Sequence, residues 1–504
     1  MLVSPQQMLD AEADWMNAHG NAGTLMEKAG LGISRAIAGH FPPHLRRGTL
    51  VLALGPGNNA GDACVAARPF AAAGWTIRWI AACPERPLSD LTQKNLAALG
   101  ECAKKLNSAH EPDPDWPRPL VVVDGLLGIG ARPPLRGPVA AATQWINHWR
   151  TVHNAFTVSI DLPTGLDGTT GEADTHCIVA DLTATVCQPK TGLVTDNASP
   201  YVGRLEVIPL PELQPAGDTT HQVTTRQMLA AWLPRPAHDQ HKSTAGRVLV
   251  VAGSPGMTGA AALTAHAALR SGAGLVTIIT HPSSIDQVAA RCAPEIMVQP
   301  FPSDDHIDWK SFDAVALGPG LGANSDTLAC NILRQCPLPV VVDADALNAL
   351  SRLSVAERSP LLDQPAGPRI LTPHPGEFRR LANDLTGTRA ERARAFTERH
   401  PGSVLLLKGQ RTLTGSQDGP LLANPTGHAG MATAGMGDTL TGICAAFAAR
   451  GLAPAISAAA AAWIHGRAAE IASFLGPRHT AVDSLTASDV IDHIGSALDD
   501  LRTL

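Results

Sequence analysis

The chain has 504 residues, of which 44% are hydrophobic and 17% are charged, and its net charge is −6. This length exceeds what one hydrophobic core usually supports, so we expect two domains. The mild charge, the lack of a basic block and an aromatic content of only 4% argue against a nucleic-acid partner and a membrane-surface partner.

Cysteine usage and hydropathy indicate the compartment. The nine cysteines are scattered, without a C-x-x-C pair or zinc-type spacing, as in a reduced cytoplasmic protein. The N-terminal residues lack the basic start and apolar core of a signal peptide. The most apolar stretch, 445–466, is rich in alanine and interrupted by Arg450, Gly451 and Pro454, so it is not expected to span a membrane. We therefore expect a cytoplasmic protein.

The first segment, residues 1–212, alternates apolar runs with helical stretches. Such alternation predicts parallel βαβ units, whose ligands bind at the carboxyl ends of the strands. We therefore expect an α/β domain here. The runs with the character of strands lie at 49–55, 75–82, 119–128 and 156–165.

The glycine-rich run GPGNNAGD, residues 55–62, follows the first of these strands. Gly55, Gly57 and Ala60 fit the loose dinucleotide-binding fingerprint. That fingerprint also needs an acidic residue near the end of the second strand, to hold a ribose hydroxyl. The second strand ends in IAAC, residues 80–83, so an ordinary NAD-binding Rossmann half is disfavoured.

Polar side chains follow the strands of this segment. Asn58, Asn59 and Asp62 stand at the start of the first helix after a strand, and Asp124 and Asp161 end two further strands. Because the carboxyl ends of parallel strands share one edge of a sheet, the three carboxylates are expected to converge. Such a cluster can coordinate a cation or a ligand. Helix capping is the alternative.

Asp161 directly follows an apolar strand, a position where α/β enzymes place acids and bases. A plain turn with Pro163 at its first central position is the alternative. Thr164 can offer an oxygen to a monovalent cation. Lys190, in the sequence CQPKTGL, is either a surface lysine or part of the same site.

Residues 213–224 lie in a stretch rich in Pro, Gly and Thr and are predicted to be a linker.

The second segment, residues 225–504, repeats the plan of strand, glycine loop and helix. Helices are expected at 438–451 and from Pro454, which suits a first helical turn. Strands are expected within the ranges 246–280, 313–322, 338–347 and 403–412.

Four side chains at strand ends of the second segment are candidates for chemistry. His374 stands on a loop stiffened by two prolines. Asp343 and Asp345 end a strand, where they can cap a helix or take part in metal or phosphate chemistry. Lys408 precedes a glycine and can pair with phosphate oxygens, a solvated loop lysine being the alternative.

The run ATAGMGDTLTG, residues 432–442, has glycines at the start of a predicted helix. Gly435, Met436 and Gly437 offer backbone N–H groups at a helix N-terminus, where the helix dipole also stabilises an anion. Asp438 beside them can take a proton from an attacking hydroxyl, so the run predicts phosphoryl transfer. The chain has no Walker A loop, because AGSPGMTG lacks the required lysine.

These motifs together resemble known families. AGMGD resembles the anion hole of the ribokinase superfamily. With ALGPGLG, VVDADALNAL, LTPHPGEF, LLLKGQRT and GMATAGMGDTLTG, the second segment resembles ADP-dependent NAD(P)H-hydrate dehydratase. LMEKAG, GPGNNAGDACVAAR, VVVDGLLGIG and SIDLPTGLDG resemble NAD(P)H-hydrate epimerase. The order of the two sets is that of the bifunctional NAD(P)H-hydrate repair family.

The resemblance implies an N-terminal Rossmann-like three-layer α/β/α domain and a C-terminal ribokinase-like α/β domain. It implies that the first domain interconverts the R and S forms of hydrated NADH or NADPH. The second would use ADP to phosphorylate the S form, and elimination would return the dinucleotide, AMP and phosphate. Potassium in the first domain, Mg²⁺ with ADP in the second and a homo-oligomeric state are expected.

The resemblance also implies roles for individual residues. Asp161 would be the acid/base of the epimerase, and Asp438 the general base of the dehydratase. The residues implied to hold potassium are Asn59, Asp124 and Thr164. Those implied to contact the hydrate in the first domain are Asn58, Asn59, Ala60, Gly61, Asp62, Gly128, Ile129, Gly130, Ala131, Arg132, Pro133, Pro134 and Asp161. Those implied to contact it in the second are Ala261, Gly320, His374 and Asp438. The nucleotide would be held by Lys408, Gly409, Gln410, Arg411, Thr412 and Gly437.

The chain departs from the family patterns at two places. Ala60 and Ala63 replace glycines of the epimerase motif, and His428 and Ala429 replace residues of the dehydratase motif. The alternative interpretation is a ribokinase-superfamily kinase of a small, vitamin-type alcohol with a non-catalytic N-terminal binding domain. The epimerase motifs argue against it.

Overall fold

A computed structural model of the chain describes residues 1–41, 45, 47–107, 111–239, 241–302, 307–475 and 480–502. It contains two compact units, Met1–Thr219 and Thr220–Leu504. Both are α/β, which confirms the expected fold class. The division falls inside the stretch 213–224 that the sequence predicts as a linker. In the first unit Leu213 is buried and Asp218 pairs with Leu2, whereas residues 221–223 form a strand of the second.

The first unit contains a seven-stranded parallel sheet in the order β3-β2-β1-β4-β5-β6-β7. Helices cover both faces of a parallel sheet, so its inner strands read as continuous apolar runs, and every residue of Thr49–Leu54 is buried. The third strand and the last two were not predicted from the sequence. The strands are β1 Thr49–Leu54, β2 Thr76–Ala81, β3 Ala103–Lys105, β4 Leu120–Gly125, β5 Phe156–Ile160, β6 Leu182–Val186 and β7 Arg204–Ile208.

The helices of the first unit begin with an N-terminal pair that precedes the sheet. Ser4 caps the first of them in a capping box with Gln7. The helices are α1 Pro5–His19, α2 Ala22–Ala38, α3 Asn58–Ala72, α4 Asp90–Ala97, α5 Gly137–His153 and α6 Ser199–Val202.

The second unit contains a ten-stranded sheet in the order β11-β10-β9-β12-β13-β14-β15-β16-β17-β8. Its strands are parallel from β11 to β15, but β16 pairs antiparallel with both β15 and β17, which the βα plan did not predict. The strands are β8 His221–Val223, β9 Arg247–Val251, β10 Leu275–Thr280, β11 Ile296–Pro300, β12 Ala314–Leu317, β13 Val340–Val342, β14 Arg369–Leu371, β15 Ser403–Leu407, β16 Leu413–Gly415 and β17 Leu421–Ala423.

Two helices rich in alanine lie in the core of the second unit. The helix predicted at 438–451 begins two residues earlier, at Met436, and the next begins at Pro454 as expected. No helix among the described residues is long and apolar enough to cross a membrane. The helices are α7 Arg226–Trp232, α8 Thr258–Arg270, α9 Ile285–Ala289, α10 Asp326–Gln335, α11 Ala344–Arg352, α12 Val355–Leu362, α13 Pro375–Leu381, α14 Arg389–Arg399, α15 Met436–Ala449, α16 Pro454–Glu470 and α17 Ala487–Arg502.

The order of the strands indicates where ligands bind. Strand β1 lies between β2 and β4, and β9 lies between β10 and β12, so the direction of the chain crossover reverses beside each. Open α/β sheets bind ligands in the crevice that such a switch point creates at the carboxyl ends of the strands. The glycine-rich loops after β1 and β9 begin at these two points.

Candidate active sites

The turn after β1 brings two strand ends close together. A Cβ on Gly55 would lie 1.7 Å from the carbonyl oxygen of Leu126, so only glycine fits there. Helix α3 then begins at Asn58, without a side-chain cap. Asn59 does not cap it; its Nδ2 donates to the carbonyl oxygens of Leu127 (2.9 Å) and Ile160 (3.0 Å). The capping alternative is therefore wrong for Asn59, which ties together the ends of β4 and β5.

Asp124 and Thr164 form a cluster of oxygens at the same edge. Both carboxylate oxygens of Asp124 accept hydrogen bonds, from the Thr164 hydroxyl (2.7 Å), the Thr164 N–H (2.9 Å) and the Ser159 hydroxyl (2.8 Å). Burial raises the pKa of the Asp124 carboxyl. Among the described residues, the groups that act on Asp124 are hydrogen-bond donors and include no cation. Asn59 lies beside this cluster, because Leu127 contacts both Asn59 and Thr164.

Asp161 forms a buried ion pair with Lys190. The Lys190 side chain is fully buried, and its Nζ donates to the Asp161 carboxylate and to the Val186 carbonyl oxygen (3.0 Å). The same carboxylate accepts from the Val186 N–H (3.1 Å) and the Thr185 hydroxyl (3.2 Å). Asp161 has a φ of 67°, which is uncommon for a residue other than glycine. Such strain recurs at functional sites, so the plain-turn alternative does not account for Asp161.

Two further carboxyl groups interact electrostatically with Asp161. Burial, and then the charges of Asp161 and Glu12, raise the pKa of Asp62 well above its usual range. Burial and the charge of Asp161 raise the pKa of Glu12 to about 7, while Lys190 opposes the shift. The sequence left open whether Lys190 lies on the surface or at this site, and its contact with Asp161 places it at the site. Glu12 was missed, because nothing in its helical surroundings distinguishes it from a solvated acid.

The other predicted residues of this unit fall into two groups. Gly128 lies against the site, since a Cβ there would come within 2.8 Å of Asn59 Oδ1. Gly128, residues 131–133 and residues 162–166 line a small pocket with Leu127 and Leu135, whereas Ile129 packs against a separate hydrophobic cluster. Ala60, by contrast, is fully buried in the core, as is Ala63, and Gly61 packs under Met26. The alanine departures from the epimerase motif therefore fill the core.

In the second unit, the glycine loop after β12 packs against the end of β13. A Cβ on Gly318 would lie 1.9 Å from the carbonyl oxygen of Asp343, and the N–H of Gly322 donates to Asp345 Oδ2 (2.8 Å). Between them, Gly320 packs against the turn before α8. A Cβ on Gly320 would lie 2.8 Å from the Met257 carbonyl oxygen. These contacts place a glycine loop beside two carboxylates.

Lys408 lies between this loop and the start of α15. Its Nζ donates to Asp343 Oδ1 (2.8 Å), and the Thr441 hydroxyl donates to Asp343 Oδ2 (2.8 Å). A Cβ on Gly437 would lie 3.3 Å from Lys408 Nζ. Lys408 lowers the pKa of Asp343 against the effect of burial. The lysine therefore stands beside the predicted anion site and is not a solvated loop residue.

Helix α15 begins as the sequence predicts for an anion site. Gly435 precedes it with a φ of 84°, so that Met436, Gly437 and Asp438 form its first turn, where N–H groups have no intrahelical acceptor. Burial, and then the charges of Asp343 and Asp345, raise the pKa of Asp438 to about 6. A carboxylate of that pKa beside an anion site can act as a base near neutral pH.

The remaining predicted residues of this unit have structural contacts as well. His374 Nδ1 caps α13 by accepting from the Gly376 N–H (3.0 Å), and its side chain is exposed. Ala261 is fully buried and underlies Gly253 of the glycine loop. Arg411 is buried and donates to the Pro425 carbonyl oxygen (3.1 Å), so its guanidinium faces inward.

His428 departs from the dehydratase motif, but the loop that contains it is well packed. Its Nδ1 accepts from the Gly430 N–H (3.2 Å), its Nε2 contacts the Ala469 carbonyl oxygen (3.2 Å), and its ring packs against Phe474. Burial lowers the pKa of His428. The histidine thus holds the loop before α15 through the neutral form of its ring.

Comparison with known proteins agrees with this division. A family model described as NAD(P)H-hydrate dehydratase matches residues 248–493, and one described as YjeF-related protein N-terminus matches residues 22–192. A Bacillus subtilis ADP/ATP-dependent NAD(P)H-hydrate dehydratase, co-crystallised with ATP/Mg²⁺, is 31% identical to this chain. The match covers 56% of this chain and 100% of the other, with a TM-score of 0.47.

Relatives of similar length extend the likeness to both units. The bifunctional NAD(P)H-hydrate repair enzyme Nnr of Moorella thermoacetica is 38% identical over 95% of this chain and 92% of the relative. Those of Salinibacter ruber and Escherichia coli are 34% and 33% identical, over 94% and 89% of this chain and 91% and 84% of the relatives. The chain therefore belongs to the family of bifunctional NAD(P)H-hydrate repair enzymes.

Proposed function

We propose that the first unit interconverts the R and S forms of hydrated NADH and NADPH, and that the second unit uses ADP to convert the S form to NAD(P)H, AMP and phosphate. Family membership over nearly the whole chain supports both activities. The observation that carries the proposal is that each set of motifs folds into one carboxylate-centred site, around Asp161 in one unit and Asp438 in the other.

In the first unit, we propose that Asp161 is the acid/base group. The Lys190 ammonium stabilises its carboxylate, and the Val186 N–H and Thr185 hydroxyl fix its orientation. Burial raises the pKa of Asp62 well above its usual range, so an ion-paired carboxylate and a carboxyl group that favours its protonated form lie in the same site. The loop 128–134, of which Gly128, Ala131, Arg132 and Pro133 line the neighbouring pocket, would hold the nicotinamide ring.

Potassium fits the oxygen cluster of the first unit. Asn59, Asp124 and Thr164 offer amide, carboxylate and hydroxyl oxygens, which suit a hard cation. Asp124 is buried without a cationic partner in the described part of the chain, so a cation would balance its charge. When bound, potassium supplies positive charge that fixes the ends of β4 and β5 around the substrate.

In the second unit, we propose that Asp438 removes the proton from the ring hydroxyl of the S form. The hydroxyl oxygen then bonds to the terminal phosphorus of ADP, and the bond from that phosphorus to the bridging oxygen breaks, releasing AMP. The N–H groups of Met436 and Gly437 stabilise the charge on the transferred group, and Lys408 pairs with phosphate oxygens.

Elimination completes the repair. The ring carbon–oxygen bond breaks, phosphate leaves with the electron pair, and loss of a proton from the adjacent carbon restores the double bond. Phosphorylation matters because hydroxide is a poor leaving group and phosphate is a good one. Gly320 and His374 would contact the hydrate, and Gly409, Gln410 and Thr412 the nucleotide.

Magnesium fits the charges beside this site. Asp343, Asp345 and Asp438 interact electrostatically, and Lys408 offsets only one of their charges. Mg²⁺ binds through one or two carboxylates and substrate phosphates, so Asp343 or Asp345 would hold it together with ADP, while Asp438 would stay free to act as the base. When bound with ADP, Mg²⁺ supplies positive charge to the phosphates.

The setting and the assembly are part of the proposal. All nine cysteines are free, which agrees with a reducing, cytoplasmic compartment. We also propose that the chain forms a homo-oligomer and binds neither nucleic acid nor membrane.

The test uses the full chain with the purified R form or S form of hydrated NADH. We expect interconversion without ADP, and with ADP the formation of AMP and the absorbance of reduced nicotinamide from both forms. Inertness toward both forms, with phosphorylation of a vitamin-type alcohol, would instead support the kinase alternative.

A further inference from the structure

Two histidines and a glutamate of the first unit come together at the surface. Glu111 lies on the segment before β4, and His148 and His153 lie on the last two turns of α5. Glu111 Oε1 is 3.5 Å from His148 Nε2, and Glu111 Oε2 contacts His153 Nε2. The two imidazole rings lie edge to face, with their centroids 5.9 Å apart. One ligand atom of each side chain therefore lies within 4.8 Å of those of the other two.

Ordinary hydrogen bonds do not account for the whole of this cluster. The 3.5 Å between Glu111 Oε1 and His148 Nε2 exceeds the usual range of about 2.7–3.2 Å for a hydrogen bond to oxygen. It is close to the separation of about 3.4 Å between two ligands of a tetrahedral Zn²⁺ ion, whose bonds to nitrogen and oxygen are about 2.0–2.2 Å long. Two imidazoles and one carboxylate are also a donor set that zinc accepts.

Packing beneath the cluster brings its two parts together. Trp149 precedes His153 by one helical turn and is fully buried. Its ring packs edge to face against Trp116, with the centroids 6.2 Å apart. Trp116 lies five residues after Glu111, on a segment that is anchored where Pro112 is buried. Contacts of the core therefore place the glutamate beside the histidines, in addition to any attraction between their charges.

The end of α5 is fixed, while the ligands themselves remain accessible. Asn154 ends the helix in a left-handed conformation, with a φ of 50°. Arg118 Nη1 donates to the carbonyl oxygen of His153 (2.6 Å). The side chain of His153 is half-buried, whereas those of His148 and Glu111 are exposed. An ion can thus reach the cluster from solvent, and the two exposed side chains can rotate to close around it.

The cluster lies away from the proposed epimerase site. Strand β4 begins at Leu120 and β5 at Phe156, so the residues just before them lie at the amino ends of these parallel strands. The epimerase site lies at the carboxyl ends of the same strands, where Asp124 and Asp161 stand. A metal ion in the cluster would therefore act on structure, by joining the segment before β4 to the end of α5.

We propose that Glu111, His148 and His153 bind one divalent transition-metal ion of the Zn²⁺ type, through a carboxylate oxygen and two Nε2 atoms. Neutral imidazole supplies a nitrogen lone pair to the ion, and water completes the tetrahedron. The two imidazoles select against Mg²⁺ and K⁺, which prefer oxygen ligands. The bound ion ties two segments of the first unit together and so stabilises its fold.

The experiment titrates ZnCl₂ into the untagged full chain by isothermal titration calorimetry, after removal of metals with EDTA and then of the chelator. KCl and MgCl₂ are present throughout, to fill the carboxylate sites proposed for those cations. Every protein carries Cys102→Ser, because Cys102 is exposed and a thiolate binds zinc. The variants are His148→Asn and Glu111→Gln. His19→Asn is the matched control, since His19 is an exposed histidine at the end of another helix, α1.

We expect one zinc ion to bind per chain at micromolar or lower concentration. His148→Asn and Glu111→Gln should each weaken binding about tenfold or more, because each removes one of three ligands. Combining His148→Asn with His153→Asn should abolish it, and His19→Asn should change nothing. Zinc binding that these variants leave unchanged overturns the inference. The absence of binding also overturns it, and the cluster is then an ion pair only.

Thermal unfolding of the same proteins supplies a second readout. Zinc at about 100 times its Kd should raise the unfolding temperature of the first unit by about 5–10 °C. We expect this rise in His19→Asn but not in His148→Asn, whose unfolding temperature without zinc verifies that the exposed substitution keeps the fold. An equal rise in both variants overturns the inference. Neither readout uses hydrated NADH, so the result is independent of whether the proposed function holds.

Discussion

Asp161 and Asp438 are surrounded by different charges, and the difference suits their proposed roles. Asp161 pairs directly with the ammonium group of a buried lysine. Asp438 is buried near two other aspartates, which raises its pKa to about 6 and makes it a stronger base. The two sites therefore obtain a base by opposite means.

The pKa of Asp438 predicts the pH dependence of dehydration. A base must be ionised, so kcat/KM for the S form should fall as pH drops through about 6. Asp345→Asn removes a like charge and should move this limb to lower pH, while titration of ADP itself stays where it is. An acidic limb at the ordinary pKa of aspartate, or one that Asp345→Asn leaves unchanged, would contradict the role of Asp438.

Lys190→Met tests the ion pair of the first unit. Removing one partner of a buried pair leaves the other charge uncompensated and typically lowers the free energy of unfolding by about 3–5 kcal/mol. We expect epimerisation to be lost and the first unit to unfold at lower urea concentration. Lys94→Met, at an exposed position of α4, is the matched control and should change neither. An active, stable Lys190→Met chain would refute the pair's role.

Among the elements, α15 begins at a constrained position of the backbone. Gly435 has a left-handed conformation, and a Cβ there would lie 2.7 Å from Leu263 Cδ1 and 3.0 Å from Ala487 Cβ. The first N–H groups of the helix can cradle a phosphate only if this turn keeps its geometry. Helix α15 is thus both a core element and the proposed anion site.

Gly435→Ala should impair dehydration, and Gly451→Ala supplies a matched comparison. Both glycines have nearly the same positive φ, but no atom lies within 4 Å of a Cβ on Gly451. Each substitution costs about 1 kcal/mol of backbone strain. Because only Gly435→Ala displaces the phosphate cradle, we expect its kcat with ADP to fall about 10–100-fold. Equal loss in both variants, measured as AMP formation, would argue against the cradle.

The sequence predicted the elements and sites unequally, for physical reasons. Strands β1, β4 and β9 are apolar runs bounded by glycine, so they are readable locally. The three-residue strands β16 and β17 are too short to show a period. Asp161 directly follows an apolar strand and Asp438 follows a glycine-rich run, so both could be recognised from their local sequence.

Lys190 and Glu12 could not be identified in this way. The surroundings of each depend on residues distant in the sequence, since Val3 pairs beside Lys190 and Asp161 acts on Glu12, and a lone lysine or a helical glutamate carries no local sign of it. The departures at Ala60 and Ala63 could not be judged either, because only packing shows that both methyl groups face the core.

At the scale of the whole molecule, each unit contains its own sheet, core and site. The first unit extends beyond residue 212, because Asp218 exchanges two backbone hydrogen bonds with Leu2 (2.8 and 3.1 Å) and Leu213 is buried. We expect a fragment of residues 1–219 to epimerise and one of residues 220–504 to dehydrate. The shorter fragment 1–212 should be less stable to urea by about 2–4 kcal/mol. Equal stability of 1–212 and 1–219 would contradict this boundary.

The most direct measurement is the recovery of reduced nicotinamide by full-length Asp161→Asn and Asp438→Asn with ADP. From the R form, neither variant alone should give NADH, and an equimolar mixture of the two should. From the S form, Asp161→Asn should keep the rate of the unsubstituted chain, and Asp438→Asn should lose about 10²–10⁴-fold. If Asp161→Asn also failed on the S form, or if the mixture stayed inactive on the R form, the assignment of one reaction to each site would be wrong.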